Sequence, residues 1–364
     1  MNPRFIRNVL IKGLLLFVVF DLAFALIPGE ALGRISAYNR LLRGRERFPF
    51  GETSRESYNL SLYNFEAMFA AHKLDGAPKA ADEFRVLVIG DSATWGTLLK
   101  PEETLAGQLD SAALISADGR RVRVYNLGYP TLSLLKDLMV LERSMRYEPD
   151  LILWRLTLES FPRERQLESP IVANNPQLVR ELIQVYRLAI PSPEEGESFW
   201  QRTLVARRRE LADLLRLQLY GVMWSATGID QLYPRAYQPA DRDLEADESF
   251  HDWQPPAFPA DGLALDLLAA GMEIAGDVPV VIINEPVLVS SGENSDIRYN
   301  FYYPRWAFDI YRQQLAAASA VNGWTYLDLW DLVPQANFTN SAIHLDAEGE
   351  KILALKVLAL GLIH

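Results

Sequence analysis

The chain has 364 residues, no cysteine, and 47 acidic against 36 basic side chains, a formal net charge of −11. The acidic balance argues against a nucleic-acid binder, and the absence of cysteine removes thiol catalysis, thiolate metal sites and a disulfide framework. A hydrophobic fraction of 49% with 11% aromatics excludes wholesale disorder.

The charge is uneven: residues 1–47 hold eight Lys or Arg against three acids. Within this segment Val9 to Ile27 is an apolar run of 19 residues, near the roughly 20 a transmembrane helix needs. Residues 1–28 are therefore read as a membrane anchor. Lys12 can snorkel from near one end, whereas Asp21 lies deep, at a cost of roughly 2.5–3.5 kcal/mol. Contact with a membrane protein partner would lower that cost. Arg4, Arg7 and Lys12 ahead of the apolar run, with Ala23-Phe24-Ala25 after it, also fit a cleaved signal sequence. Pro28 and the Arg-rich continuation favour the uncleaved anchor. With no second span of comparable length, the expectation is a single-pass plasma-membrane protein with its domain extracytoplasmic. Residues 29–83 read as a juxtamembrane linker and helix, with helical spacing of apolar residues at 58–72.

From residue 84 strands and helices alternate. Segments 85–92, 121–128, 150–158, 278–286 and 324–330 read as strands, and 134–146, 261–275, 304–320 and 347–361 as helices. Such alternation implies an α/β sheet with helices on both faces, its chemistry at the carboxyl ends of the strands. Residues 160–258 interrupt the pattern as a long insertion, with a helix expected from Phe199 to Trp224. That helix is either amphipathic and core-packed with Arg207, Arg208 and Arg209 in solvent, or a membrane-surface helix.

Two strand-end features carry chemistry. Gly-Asp-Ser closes the first strand and presents Ser92 where a nucleophile would stand. Such a serine needs a base, and the chain has four histidines. His72 precedes the domain, His251 lies in the insertion and His364 is the last residue. His344, between the fifth strand and the final helix, can reach the edge that holds Ser92.

These segments resemble the SGNH (GDSL-type) hydrolase superfamily. GDSATWG at 90–96 matches its first block, Asn126-Leu127-Gly128 its second, and His344 with the following LDAEG its last. The resemblance covers roughly 84–160 and 278–362. It implies a flavodoxin-like parallel sheet of about five strands, Ser92 as nucleophile, His344 as general base, and the amides of Ser92 and Gly128 as oxyanion donors.

The sequence departs from the family pattern twice. The third block, Gly-x-Asn-Asp, is replaced in register by Thr157-Leu158-Glu159-Ser160, and a carboxylate at Glu159 would repel an oxyanion. Asn284 is a candidate substitute donor. The Asp that orients the base is replaced by Ser341 beside Asn340, and Asp91, Glu159, Glu285 and Asp346 are acids that could stand in. No metal-ligand spacing, phosphate loop or dinucleotide fingerprint occurs, so no metal or cofactor is expected. The stretch Asn294 to Trp306, rich in aromatics and Arg, suits stacking on sugar rings or a packed loop leading into a helix.

Taken together, the sequence points to a membrane-anchored ester hydrolase or O-acyltransferase acting on a small acyl ester or acylated glycan of the cell envelope. The alternative is a catalytically impaired SGNH-like subunit of a membrane complex, with Asp21 as its contact.

Overall fold

The computed structural model describes residues 2–27, 37, 44–50, 65–76, 78–193, 198–227, 236–361 and 363. His364 and residues 58–64 of the upstream helical stretch lie outside them. The strands are β1 Glu83–Gly90, β2 Arg121–Gly128, β3 Leu151–Leu156, β4 Val280–Asn284 and β5 Thr325–Asp328. The helices named below are α1 Pro3–Phe24, α2 Phe65–Ala71, α3 Ser92–Trp95, α4 Leu105–Ser111 and α5 Leu134–Ser144. They continue with α6 Pro176–Tyr186, α7 Arg208–Thr227, α8 Leu265–Ala275, α9 Arg305–Asn322 and α10 Ala347–Ala359.

All five strands pair in parallel in the order β2-β1-β3-β4-β5. The strands are apolar almost throughout because helices cover both faces. Leu87, Ile89, Ile152, Trp154 and Ile282 point to one side, where α5, α8 and α9 pack. Val86, Val88, Leu153, Val281 and Ile283 point to the other, against α4 and α10. The chain grows outward from β1 to β2 and then returns to place β3 on the opposite flank of β1. The loops after β1 and β3 therefore diverge and open a crevice at the carboxyl edge.

Residues upstream of β1 join the same core. Phe48, Phe65, Met68, Phe69 and Leu74 are buried in the larger cluster. Arg47 lies over the Trp95 ring at 4.0 Å and donates to the carbonyls of Trp95, Gly96 and Leu99. His72 is fully buried: its Nε2–H is shared by the carbonyls of Asn126 at 3.0 Å and Glu46 at 3.2 Å, while Nδ1 accepts from Leu74 N.

Two expectations are corrected here. The apolar run forms α1, but among the described residues no helix is long and apolar enough to cross a membrane. Lys12 and Asp21 interrupt the stretch, each at a cost in hydrocarbon. Asp21 has a partner within its own chain, its Oδ1 accepting from Val205 N at 2.8 Å, so the expected contact with a membrane protein is not supported. In the insertion, the helix begins at Arg208, nine residues later than expected. Ser198 caps a separate 3₁₀ turn at Phe199–Arg202 through the amide of Gln201. α7 leaves Leu215, Leu219 and Met223 exposed and packs Trp224 against Ala67 and Ala71.

Candidate active site

β1 ends at Gly90, and Asp91 caps the short helix α3, its Oδ1 accepting from Ala93 N at 2.8 Å. Ser92 is the first residue of α3, so its N–H has no carbonyl one turn back within the helix. Gly96 ends the helix in the left-handed conformation, φ 87°, which an L-residue with a Cβ rarely adopts. Trp95 Nε1 donates to Phe48 O at 2.7 Å, so the segment bearing Ser92 is held from both sides.

His344 stands on the loop between β5 and α10. Ser92 Oγ lies 2.8 Å from His344 Nε2, across 252 positions of chain. His344 Nδ1 donates to Asn340 Oδ1 at 2.8 Å. That bond places the ring proton on Nδ1 and leaves the Nε2 lone pair toward Ser92, the tautomer a general base requires. Of the two residues considered for the missing Asp, Asn340 orients the ring, whereas Ser341 is buried without a bond to it among the described residues. Asp346 is occupied elsewhere, capping α10 through Gly349 N at 2.7 Å.

The expected oxyanion donors diverge. Gly128 sits against α3: a Cβ there would lie 2.4 Å from Trp95 N and 2.8 Å from Thr94 C. Its N–H, however, donates to Asn126 Oδ1 at 3.0 Å, and Asn126 Nδ2 donates to Thr94 O at 2.8 Å. Asn126 thus ties β2 to α3 and occupies the amide that would serve as second donor. Asn284, the candidate substitute for the side-chain donor missing at Glu159, does not fill that role. It is wholly buried, donating to Asp328 Oδ1 at 2.8 Å and accepting from Tyr311 OH at 3.2 Å. Packing against β5 and α9 turns it away from the crevice.

Glu159 has partners that the sequence did not reveal. Its carboxylate is ion-paired with Arg165 and accepts from His251 Nε2 at 3.0 Å. Both come from the 160–258 insertion, which therefore supplies the cation that compensates the charge. The Asn294 to Trp306 stretch is mainly a packed loop: Tyr299 and Tyr303 are buried against Phe308, and Arg298 donates to the carbonyls of Asp247 and Phe301. Thr157 Oγ1 and Tyr303 OH share a hydrogen bond of 2.9 Å.

Beneath the site lie buried charges that sequence reasoning missed. Lys136 Nζ donates to Gly90 O at 2.7 Å and pairs with Asp137 at 2.5 Å, fixing the end of β1. Arg155, fully buried, pairs with Glu350 at 3.1 Å and Glu285 at 3.4 Å. A signal was available for Arg155, since an isolated charge inside an apolar strand persists in a core only when paired.

No family model matches the chain, and no curated protein does. It is similar to solved structures of GDSL-type and esterase proteins. One is a lipolytic G-D-S-L family protein from Veillonella parvula, at 12% identity and TM-score 0.35 over 76% of this chain and 97% of that one. A second is a carbohydrate acetylesterase from Sinorhizobium meliloti, at 16% identity and TM-score 0.33 over 76% and 99%. A third is an aryl esterase from M. smegmatis, at 14% identity and TM-score 0.32 over 76% and 99%.

Proposed function

We propose that the chain is a serine ester hydrolase that works through Ser92 and His344. The observation that carries this reading is the continuous relay from Ser92 Oγ through the His344 ring to Asn340 Oδ1, both links being 2.8 Å. Ser92 Oγ attacks the ester carbonyl as His344 Nε2 takes its proton, and the Ser92 N–H donates to the developing oxyanion. The imidazolium then returns the proton to the leaving alkoxide. Water, or a sugar hydroxyl, resolves the acyl-serine with His344 again as base. Asn340 holds the ring by a neutral hydrogen bond, with less stabilisation of the imidazolium than a carboxylate provides.

The substrate class within this reading is O-acyl groups of an envelope glycan or lipid. Exposed Leu10, Leu14, Leu16 and Phe20 of α1 support attachment to a lipid surface. The side proposed with it is the outer face of the plasma membrane, where acylated envelope glycans and lipids would lie.

Labelling of the purified protein by a fluorophosphonate probe tests the reading. Ser92 should be modified, and Ser92→Ala and His344→Ala should each abolish labelling. An unreactive wild-type protein would move the assignment to a non-catalytic SGNH-like subunit.

A further inference from the structure

The carboxyl ends of β3 and β4 and the first turn of α10 bury Arg155, Glu285 and Glu350 as one paired group, and Asp91, which precedes the nucleophile at the end of β1, is buried beside Glu285. These are three carboxyl groups and one guanidinium, so full ionisation would leave two uncompensated negative charges in the core. Arg155 Nη1 is committed to Glu350, at 3.1 and 3.3 Å to its two oxygens, and to Ala93 O at 3.4 Å. Its Nη2 reaches Glu285 only at 3.4 Å. Among the described residues no hydrogen bond reaches the buried Asp91 Oδ2 or either oxygen of Glu285, Arg155 Nη2 approaching the latter only as an ion partner. Buried acceptors are rarely left in that state.

We propose that Glu285 is a neutral carboxylic acid whose O–H donates to Asp91 Oδ2, and that it is thereby a positioning residue for Ser92. Asp91 links the two: its other oxygen caps α3 at Ala93 N, one residue beyond the nucleophile. The proton resolves two requirements at once. It supplies the donor that Asp91 Oδ2 lacks, and it removes one of the two excess charges. Burial first, and then the negative Asp91, push the Glu285 carboxyl well above the usual carboxylate range, against the opposing pull of Arg155. Burial likewise raises Glu350, again opposed by Arg155. The remaining titratable groups that face Glu285 are Tyr303, ahead of α9, and Tyr311 on α9, both pushed up by burial and therefore neutral over the working range. Ionisation of Glu285 at alkaline pH would set two carboxylates against each other and disturb the cap of α3.

The inference deepens the esterase reading and rests on it for its kinetic test. Hydrolysis of a short-chain ester by the full chain should show kcat falling at alkaline pH with KM little changed. Glu285→Gln keeps an N–H donor and cannot ionise, so it should retain most of the neutral-pH rate and lose the alkaline limb. Glu285→Met removes the donor and should lower kcat about tenfold or more, the scale expected of a misplaced nucleophile. An unchanged alkaline limb in Glu285→Gln, or a wild-type kcat in a folded Glu285→Met, would overturn the proposal. If Glu285→Met does not fold, the Glu285→Gln profile decides. Infrared difference spectroscopy separates this inference from the esterase reading: a protonated-carboxyl carbonyl band at neutral pH should be present in the wild type and absent in Glu285→Gln. Its absence from the wild type refutes the buried acid whether or not the protein cleaves esters.

Discussion

Asn340, next to the position where the sequence pattern called for Asp, takes over the orienting of His344, whereas Glu159, in the register of the pattern's Asn, does not take over that residue's donor role. The Asn340 amide oxygen sets the His344 tautomer without a charge, so the imidazolium receives orientation but little electrostatic support. Asn340→Leu should lower kcat on the order of 100-fold with KM nearly constant, and Asn340→Asp should raise it, as steady-state kinetics on a short-chain ester would show. At Glu159 the charge is compensated by Arg165, and His251 adds a hydrogen bond, so it is not the bare carboxylate the linear sequence suggested. His72 makes a prediction about stability. Burial, together with nearby Lys73, lowers its pKa from 6.5 to about 3. Between these values the unfolded chain binds more protons than the folded one, so stability is full above pH 6.5 and falls as pH drops toward 3. The loss attributable to His72 at pH 5 is about 2 kcal/mol. Glu285 and Glu350, raised by burial, act with the opposite sign. The test is therefore comparative: urea unfolding at pH 7 and pH 5 should show a smaller decrease for His72→Gln than for the wild type.

The elements meet at α3, where a four-residue helix is clamped by β2, by residues 44–50 and by buried charges. Gly128 makes the first of these contacts possible, because β2 approaches the backbone of α3 too closely for a side chain. Gly128→Ala must displace α3 or β2 and should cost about 1–3 kcal/mol along with most of the activity. Thermal unfolding and ester hydrolysis measure the two effects separately. The same packing explains the oxyanion site. Asn126 bonds to Thr94 O and to the Gly128 N–H in order to fasten β2 to α3, and this fastening takes up the amide that a second donor would use.

At the scale of the whole molecule, α1 lies against the 198–227 region through Asp21 and Val205 while keeping an apolar surface exposed. The proposal of a lipid-attached domain outside the cell makes a direct prediction. The full chain should sediment with liposomes, and removal of residues 2–27 should abolish sedimentation. Protease added to intact cells should digest the domain; complete protection would reverse the assigned side. The long insertion has a comparable dual character. It supplies Arg165 and His251 to Glu159, and α6 buries Val179 and Leu182 in the core, so one segment serves both the crevice and the packing.

The sequence by itself determined the α/β alternation, approximate element boundaries and the placement of Ser92 and His344 at strand-end loops. Those features depend on local patterns: apolar runs of strand length, helical spacing, and Gly-Asp-Ser directly after a strand. Upstream, Phe48, Phe65 and Phe69 were legible as apolar residues but not as part of this core, because nothing local says which surface they meet. Only the tertiary structure decided the directions of the polar side chains. It turned Asn284 toward Asp328, gave Glu159 its Arg165, and placed the Gly128 N–H on Asn126. It also gathered Arg155, Glu285 and Glu350 into one paired group and buried Asp91 beside Glu285. The physical reason is that a buried polar group must find a partner, and the partner is set by which distant elements pack there.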